Sequence, residues 1–200
     1  MALFGRDTVK VGLTAQRRAA DRLLEQGAFA HVFLCEGAYP AIRQVERLVS
    51  SRLALPERLT WRRKRGLWHE ATDPGHRAAV LTTRAKQARP LLTGCPVWIL
   101  ADAAVVDDLP EYGVAPHTLP NTLRVATSVH SGDVLAGAVR GVIGKMVILD
   151  TGQGPLVVDT RALEGWRLAP CGPDEQLHLS TPPSKESTRT EPDQATLFSM

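Results

Sequence analysis

The sequence predicts an α/β or α+β N-terminal unit, followed by a small β-rich, barrel-like segment and a disordered C-terminal tail. Three observations lead there. Helix-like and strand-like periodicities alternate over residues 1–120. Residues 121–170 are rich in Val and Gly, with closely spaced turn signals and few helix formers. Residues 171–200 are dominated by small, polar, charged and proline residues, too few of them apolar to offset ordering entropy.

Taken in order, "TAQRRAADRLLEQG" (14–27) reads as a helix with Thr14 as N-cap and Gly27 as its C-terminal stop. "FAHVFLC" (29–35) has the length and apolarity of a buried strand. In "YPAIRQVERLVSSRLAL", Pro40 marks a helix start, and Ile42, Val45, Leu48, Val49 and Leu53 fall on one face. "RLTWRRKRGLWHEAT" (58–72) alternates around Gly66 and reads as a β-hairpin or one bent strand. "RAAVLTTR" fits strand or helix, and "AKQARPLLTG" a short helix broken near Pro90. "PVWILAD" (96–102) reads as a buried strand.

After the Pro-rich connector "LPEYGVAPHTLPN", residues 122–169 suggest several short strands, with turns at Ser131–Gly132, Gly144–Lys145 and Gly152–Gln153–Gly154. This rhythm resembles the SH3-like, Sm-like and OB families of small barrels. Such barrels bind nucleic acid in some cases and protein in others, so the fold alone does not decide function. "STPPSKESTRTEPD" (180–193) reads as a flexible linker.

The net charge of +3 conceals a polarity. Residues 43–89 hold twelve Lys/Arg against four Asp/Glu, whereas residues 90–133 hold one against five. A basic segment beside an acidic one suits contact with a polyanion on one side only. Within it, "TWRRKRGLW" offers Arg62, Arg63, Lys64 and Arg65 as phosphate contacts and Trp61 as a stacking ring, so these five are the candidate DNA-binding residues. The alternative is a solvated basic face with the tryptophans in the core.

Cys35, Cys95 and Cys171 are odd in number and far apart, which points to a reducing compartment. No apolar run approaches the roughly 18 residues of a membrane span, and "MALFGRDTVKVG" lacks the features of a secretory signal. The expected location is the cytoplasm, with no membrane partner.

Other chemistry leaves little trace. There is no G-x-x-x-x-G-K-[ST], no G-x-S-x-G and no Cys-x-x-Cys, so no cofactor and no structural zinc are expected. His69, Glu70, Asp73 and His76 do not match a His-Glu-x-x-His metal motif. Glu36, Glu70, Asp73 and Asp102 lie near ends of expected strands, where a metal-dependent nuclease assembles its acids. The element order is faintly similar to a restriction-endonuclease core, but the marker of that family, a proline–aspartate followed by Glu-x-Lys, is missing.

The tip of the chain carries the sharpest signal. Leucine and phenylalanine stand at the end of a polar tail, in "EPDQATLFSM". Gln194-Ala195-Thr196-Leu197-Phe198 resembles the clamp-binding pentapeptide of bacterial replication and repair proteins, a glutamine, two variable positions, then leucine and phenylalanine. The resemblance implies that Gln194 is the polar anchor, that Leu197 and Phe198 fill an apolar cleft, and that the partner is the bacterial sliding clamp. Ala195 stands where the family often has leucine, which implies weaker binding. The expectation is a non-catalytic accessory of DNA replication or repair, with DNA as a second partner. A clamp-recruited metal-dependent nuclease and an adaptor without DNA affinity are the alternatives.

Overall fold

A computed structural model describes residues 1–56, 58–172 and 174–187 of the 200-residue chain. The N-terminal unit is mixed α/β, as expected. Strands β1 (Ala2–Phe4) and β2 (Thr8–Lys10) form a hairpin in which Leu3 pairs with Val9. Gly5 turns it at φ +68°, where a side chain would also press on Leu67. β3 (Ala30–His31) pairs antiparallel with β1, placing β1 in the middle of the sheet.

Helix α1 (Ala19–Gln26) ends at Gly27 in the left-handed conformation, and the Ala28 N–H returns to the Leu23 carbonyl at 3.2 Å. Its start differs from expectation. A single 3-10 turn, Gln16–Arg18, precedes it, and the Thr14 hydroxyl contacts carbonyls without accepting an N–H, so it does not cap. Strand β4 (Cys35–Glu36) leads into α2 (Tyr39–Arg52), which has Pro40 in its first turn and buries Ala41, Val45 and Val49. The apolar periodicity predicted this helix because its buried positions recur at helical spacing.

Residues 58–72 depart from the expected hairpin. The Thr60 hydroxyl accepts the Arg63 N–H at 3.2 Å and opens α3 (Trp61–Gly66), after which Trp68–Glu70 form a 3-10 turn. An N-cap threonine followed by good helix formers outweighed the alternation around the tryptophans. "RAAVLTTR" and the residues after it form one helix, α4 (Pro74–Ala88), with the Asp73 carboxylate capping the His76 N–H at 2.9 Å. A 3-10 turn at Arg89–Leu92 accommodates Pro90.

"PVWILAD" is also corrected. Only Trp98–Ile99 are extended, as β5, paired with β4, and Trp98 points into solvent while Val97 and Ile99 pack inward. The run lies at the margin of the core, so one face stays wet. β6 (Val106–Asp107) completes the first sheet in the order β2-β1-β3-β6. Helices α2 and α4 supply Val45, Val49, Leu81 and Ala85 to a core with Leu3, Val9 and Val32.

The β-rich segment comprises β7 (Thr122–Ala126), β8 (Ala138–Ile143), β9 (Met146–Thr151) and β10 (Gly154–Asp159). β7 and β10 run parallel, and β8–β9–β10 form an antiparallel meander. A further strand, β11 (Ser184–Ser187), pairs antiparallel with β7, so the expected linker contributes four residues to the sheet β11-β7-β10-β9-β8. Its Ser184 stands opposite Val125 and its Glu186 opposite Leu123.

The two halves share a core. Phe29, Trp68 and Tyr112 pack with Leu123, Val125, Ile143, Met146, Ile148 and Val157. The Tyr112 hydroxyl donates to the Ala28 carbonyl at 2.6 Å, and Nδ1 of buried His31 lies 2.8 Å from the Asp108 carboxylate. The β-rich segment therefore completes the body and does not stand apart from it. Among the described residues no helix is long and apolar enough to cross a membrane.

Candidate nucleic-acid interface

The outer side of β2, the helix α1 and the start of α2 enclose a cleft of about 240 Å³. Helix geometry decides which side chains face it. Ala19, Leu23 and Gln26 recur at i, i+4, i+7 on α1, and Ile42, Val45 and Glu46 come from α2. Val11–Thr14 and Phe33–Gly37 also line it.

Lys10, the last residue of β2, extends into this cleft half-buried. Among the described residues its ammonium has no hydrogen bond or ion pair. Burial lowers its pKa most; the Glu46 carboxylate opposes that shift, and the Arg22 and Arg58 guanidinia add to it. A partly desolvated ammonium near two further cations favours an incoming anion, which would offset the lost solvation.

Arg18, at the end of the 3-10 turn, and Arg22 of α1 are exposed and both paired with Glu25, Arg22 at 3.2 Å. The Arg22 hydrogen bond, the largest lowering influence, holds Glu25 below the usual carboxylate range. Two guanidinia around one carboxylate leave a surplus positive charge there. On α2, Arg43 holds one oxygen of Glu46, while the other, Oε1, faces Gly12, where an added Cβ would lie 3.9 Å from it. Glu46 is thus the cleft acid whose orientation a guanidinium, that of Arg43, fixes; Glu36 also lines the cleft.

The expected DNA-binding run is divided by α3. Arg62 and Arg63 are exposed and remain available. Lys64 is buried between two rings, with Nζ 4.6 Å from the Phe4 centroid and 4.5 Å from that of Trp61, and it donates to the Gln26 carbonyl at 2.7 Å. Burial, with Lys10 and Arg22 nearby, pulls its pKa down to about 7. Arg65 is buried too, paired with Glu186 of β11 and 3.8 Å from Met146 Sδ. Trp61 is half-buried and packs on Gly27 and Gly144. Three of the five candidates therefore hold the body together.

The acids singled out from the sequence do not converge. Asp73 caps α4, His76 Nε2 lies 3.3 Å from Asp7, and Glu36 is exposed at the cleft margin. Among the described residues no three His, Cys, Asp or Glu side chains gather to hold a metal ion. The expected clamp-binding residues, Gln194, Leu197 and Phe198, lie outside the described residues.

Sequence reasoning missed Lys10, Arg22, Glu46 and Arg58. The available signals were a lysine two residues before Gly12 at a strand end, and a lone glutamate among the arginines of α2.

The family model for DUF2797, described as a protein of unknown function, matches residues 2–168, and the chain belongs to that family. No curated protein and no solved structure matches it.

Proposed function

We propose that this protein is a DNA replication or repair accessory that docks on the bacterial sliding clamp and lays its N-terminal cleft on DNA. The observation that carries the reading is the coexistence, in one chain, of the Q-x-x-L-F peptide at 194–198 and a cleft that Lys10 lines, with the guanidinia of Arg22 and Arg58 near enough to act on its ammonium. Gln194 is the polar anchor of the peptide, and Leu197 and Phe198 are its apolar plugs. A peptide with two buried anchors binds at about micromolar strength. Contact with DNA threaded through the ring raises the effective concentration of both weak sites.

The body favours this division of labour. β11 ends at Ser187, so residues 188–193 separate the sheet from Gln194. Covalent geometry limits that span to about 20 Å, which keeps the body close to the ring. Arg62 and Arg63, exposed on α3, add a second cationic contact. The reading needs no cofactor and places the protein in the cytoplasm.

The test is a titration of the full chain against a bacterial sliding clamp, alongside the double variant Leu197→Ala, Phe198→Ala. Micromolar binding abolished in the variant is the expected outcome; equal binding by both, or none by either, removes the docking reading.

A second reading, phosphodiester cleavage in the same cleft, is favoured by Glu46. It is the carboxylate that faces the cationic group of the cleft, its orientation set by Arg43. Such an acid can hold a single divalent cation together with water, or accept a proton from an attacking water. Metal-dependent nicking of DNA, lost in Glu46→Gln and retained in Glu70→Gln, would support this reading over the non-catalytic one.

A further inference from the structure

The lining of the cleft is an unfinished core. Leu13, Leu23, Phe33 and Ile42 face it, yet each is only half-buried. Among the described residues, Leu13, Phe33 and Ile42 belong to none of the molecule's apolar cores. Helix α1 is amphipathic, but none of its residues is fully buried. A helix this short takes most of its stability from the apolar face it packs, so α1 is left short of cover.

The chain itself holds a matching cover. Beyond β11 the sequence runs "TRTEPDQATLFSM", with no large apolar residue before Leu197 and Phe198. Two such side chains on a polar stretch gain by leaving water. The reach suffices. Leu197 comes ten residues after Ser187, a span of at most about 35 Å. Glu186 of β11 pairs with Arg65, and Lys64, its neighbour in α3, donates to the Gln26 carbonyl at 2.7 Å. Gln26 lines the cleft. Two side-chain contacts and one peptide step thus connect β11 to the cleft, a path shorter than that reach. Helix α3 makes both contacts, and its exposed Arg62 and Arg63 offer opposite charge to Glu191 and Asp193 of the connecting stretch.

We infer that Leu197 and Phe198 dock in the protein's own cleft, against Leu13, Leu23, Phe33 and Ile42, when the clamp is absent. The contact itself needs no clamp; its consequence rests on the docking reading above. The same two plugs then have alternative receptors, one within the chain and one on the ring. Seated in the cleft, they stand beside Lys10 and keep a polyanion from it. Capture of the peptide by the clamp opens the cleft, so the two sites are linked. The clamp meets only the unseated fraction of tails, and its apparent affinity falls by that fraction.

The test is NMR of the full chain without clamp, labelled in its phenylalanine rings and its leucine and isoleucine methyl groups. The Phe198 ring should show nuclear Overhauser contacts to the Ile42 and Leu23 methyls, and these should persist on dilution. The double variant Leu197→Ala, Phe198→Ala should shift those methyl signals and leave Ile148, in a core that does not line the cleft, in place. Leu13→Gln, a change outside every core, should raise the affinity for a bacterial clamp about two- to tenfold. Absent contacts, with methyl signals identical in wild type and double variant, overturn the inference. Contacts that vanish on dilution also overturn it, since the tail then seats on a second copy. Contacts present with no clamp binding by any variant keep the seated tail and remove the clamp reading. Clamp binding without the contacts does the reverse.

Discussion

The Trp61 indole lies against Gly144 so closely that a Cβ there would sit 2.8 Å from Cζ3 and nearer still to Cη2. This contact joins α3 to the β8–β9 turn, and Gly144 itself has φ +62°. Gly144→Ala combines a ring clash with a left-handed backbone and should cost about 2–4 kcal/mol, read as a lower midpoint in urea unfolding. Gly152→Ala, with open space around its Cβ direction, should change stability far less.

Arg77 of α4 grips Asp107 of β6 through two bonds, Nε to Oδ1 at 3.0 Å and Nη2 to Oδ2 at 2.6 Å. The guanidinium is almost wholly buried, whereas the carboxylate is partly exposed. Asp107→Ala leaves a buried cation unpaired and should destabilise by about 2–3 kcal/mol, below the full range for a wholly buried pair because water reaches one partner. The double variant Arg77→Met, Asp107→Ala should recover part of that loss, and denaturant unfolding of the cycle measures the coupling.

Lys64 makes stability depend on pH in a stated direction. Its pKa is about 7 when folded, against an unfolded value of 10.5. Between those values the unfolded chain binds more protons, so stability rises with pH through that window and is flat below it. The Gln26 carbonyl and the rings of Phe4 and Trp61 favour the ammonium and work against burial. The gain from pH 7 to 10 should therefore be at most a few kcal/mol. Unfolding of the wild type and Lys64→Met across that range isolates it: the wild type should gain relative to the variant.

On the proposed DNA contact, salt would separate the cations that meet phosphate from those that support the fold. Lys10→Gln and Arg22→Gln should each reduce the slope of log K against log salt by about one and weaken all sequences alike. Lys64→Met should leave the slope unchanged, because its ammonium already lies against the Gln26 carbonyl. A slope indifferent to Lys10 and Arg22 would move the DNA contact to Arg62 and Arg63.

The fold class was legible wherever burial follows a regular period. Val45 and Val49 announce α2, and Gly27 ends α1 because only a residue without a Cβ takes that φ freely. Residues 58–72 misled because Trp61 and Trp68 mimic alternation, while the deciding feature was the Thr60 cap, one hydroxyl to one N–H. Trp98 misled in the same way, since an apolar run does not reveal which of its faces is wet. The cleft was illegible for a different reason. Lys10 and Glu46 come from separate elements, with Arg22 and Arg58 brought near Lys10 only after the sheet and helices pack, so no local spacing records them. The Q-x-x-L-F pattern at 194–198 is the reverse case, a signal carried entirely by local spacing in the sequence.

The pairing of Ser184–Ser187 with β7 determines where the chain tolerates a cut. Removal of everything after Ser187 deletes the peptide and leaves the sheet whole. Removal of everything after Thr181 strips β7 of its outer neighbour, exposing a row of bare N–H and C=O groups that can recruit the same edge of another molecule. It also deprives Arg65 of Glu186, and Arg65 Nε already has no partner among the described residues. The shorter chain should therefore self-associate on concentration where the longer one stays monodisperse, so the segment that carries the tail doubles as a guard against aggregation.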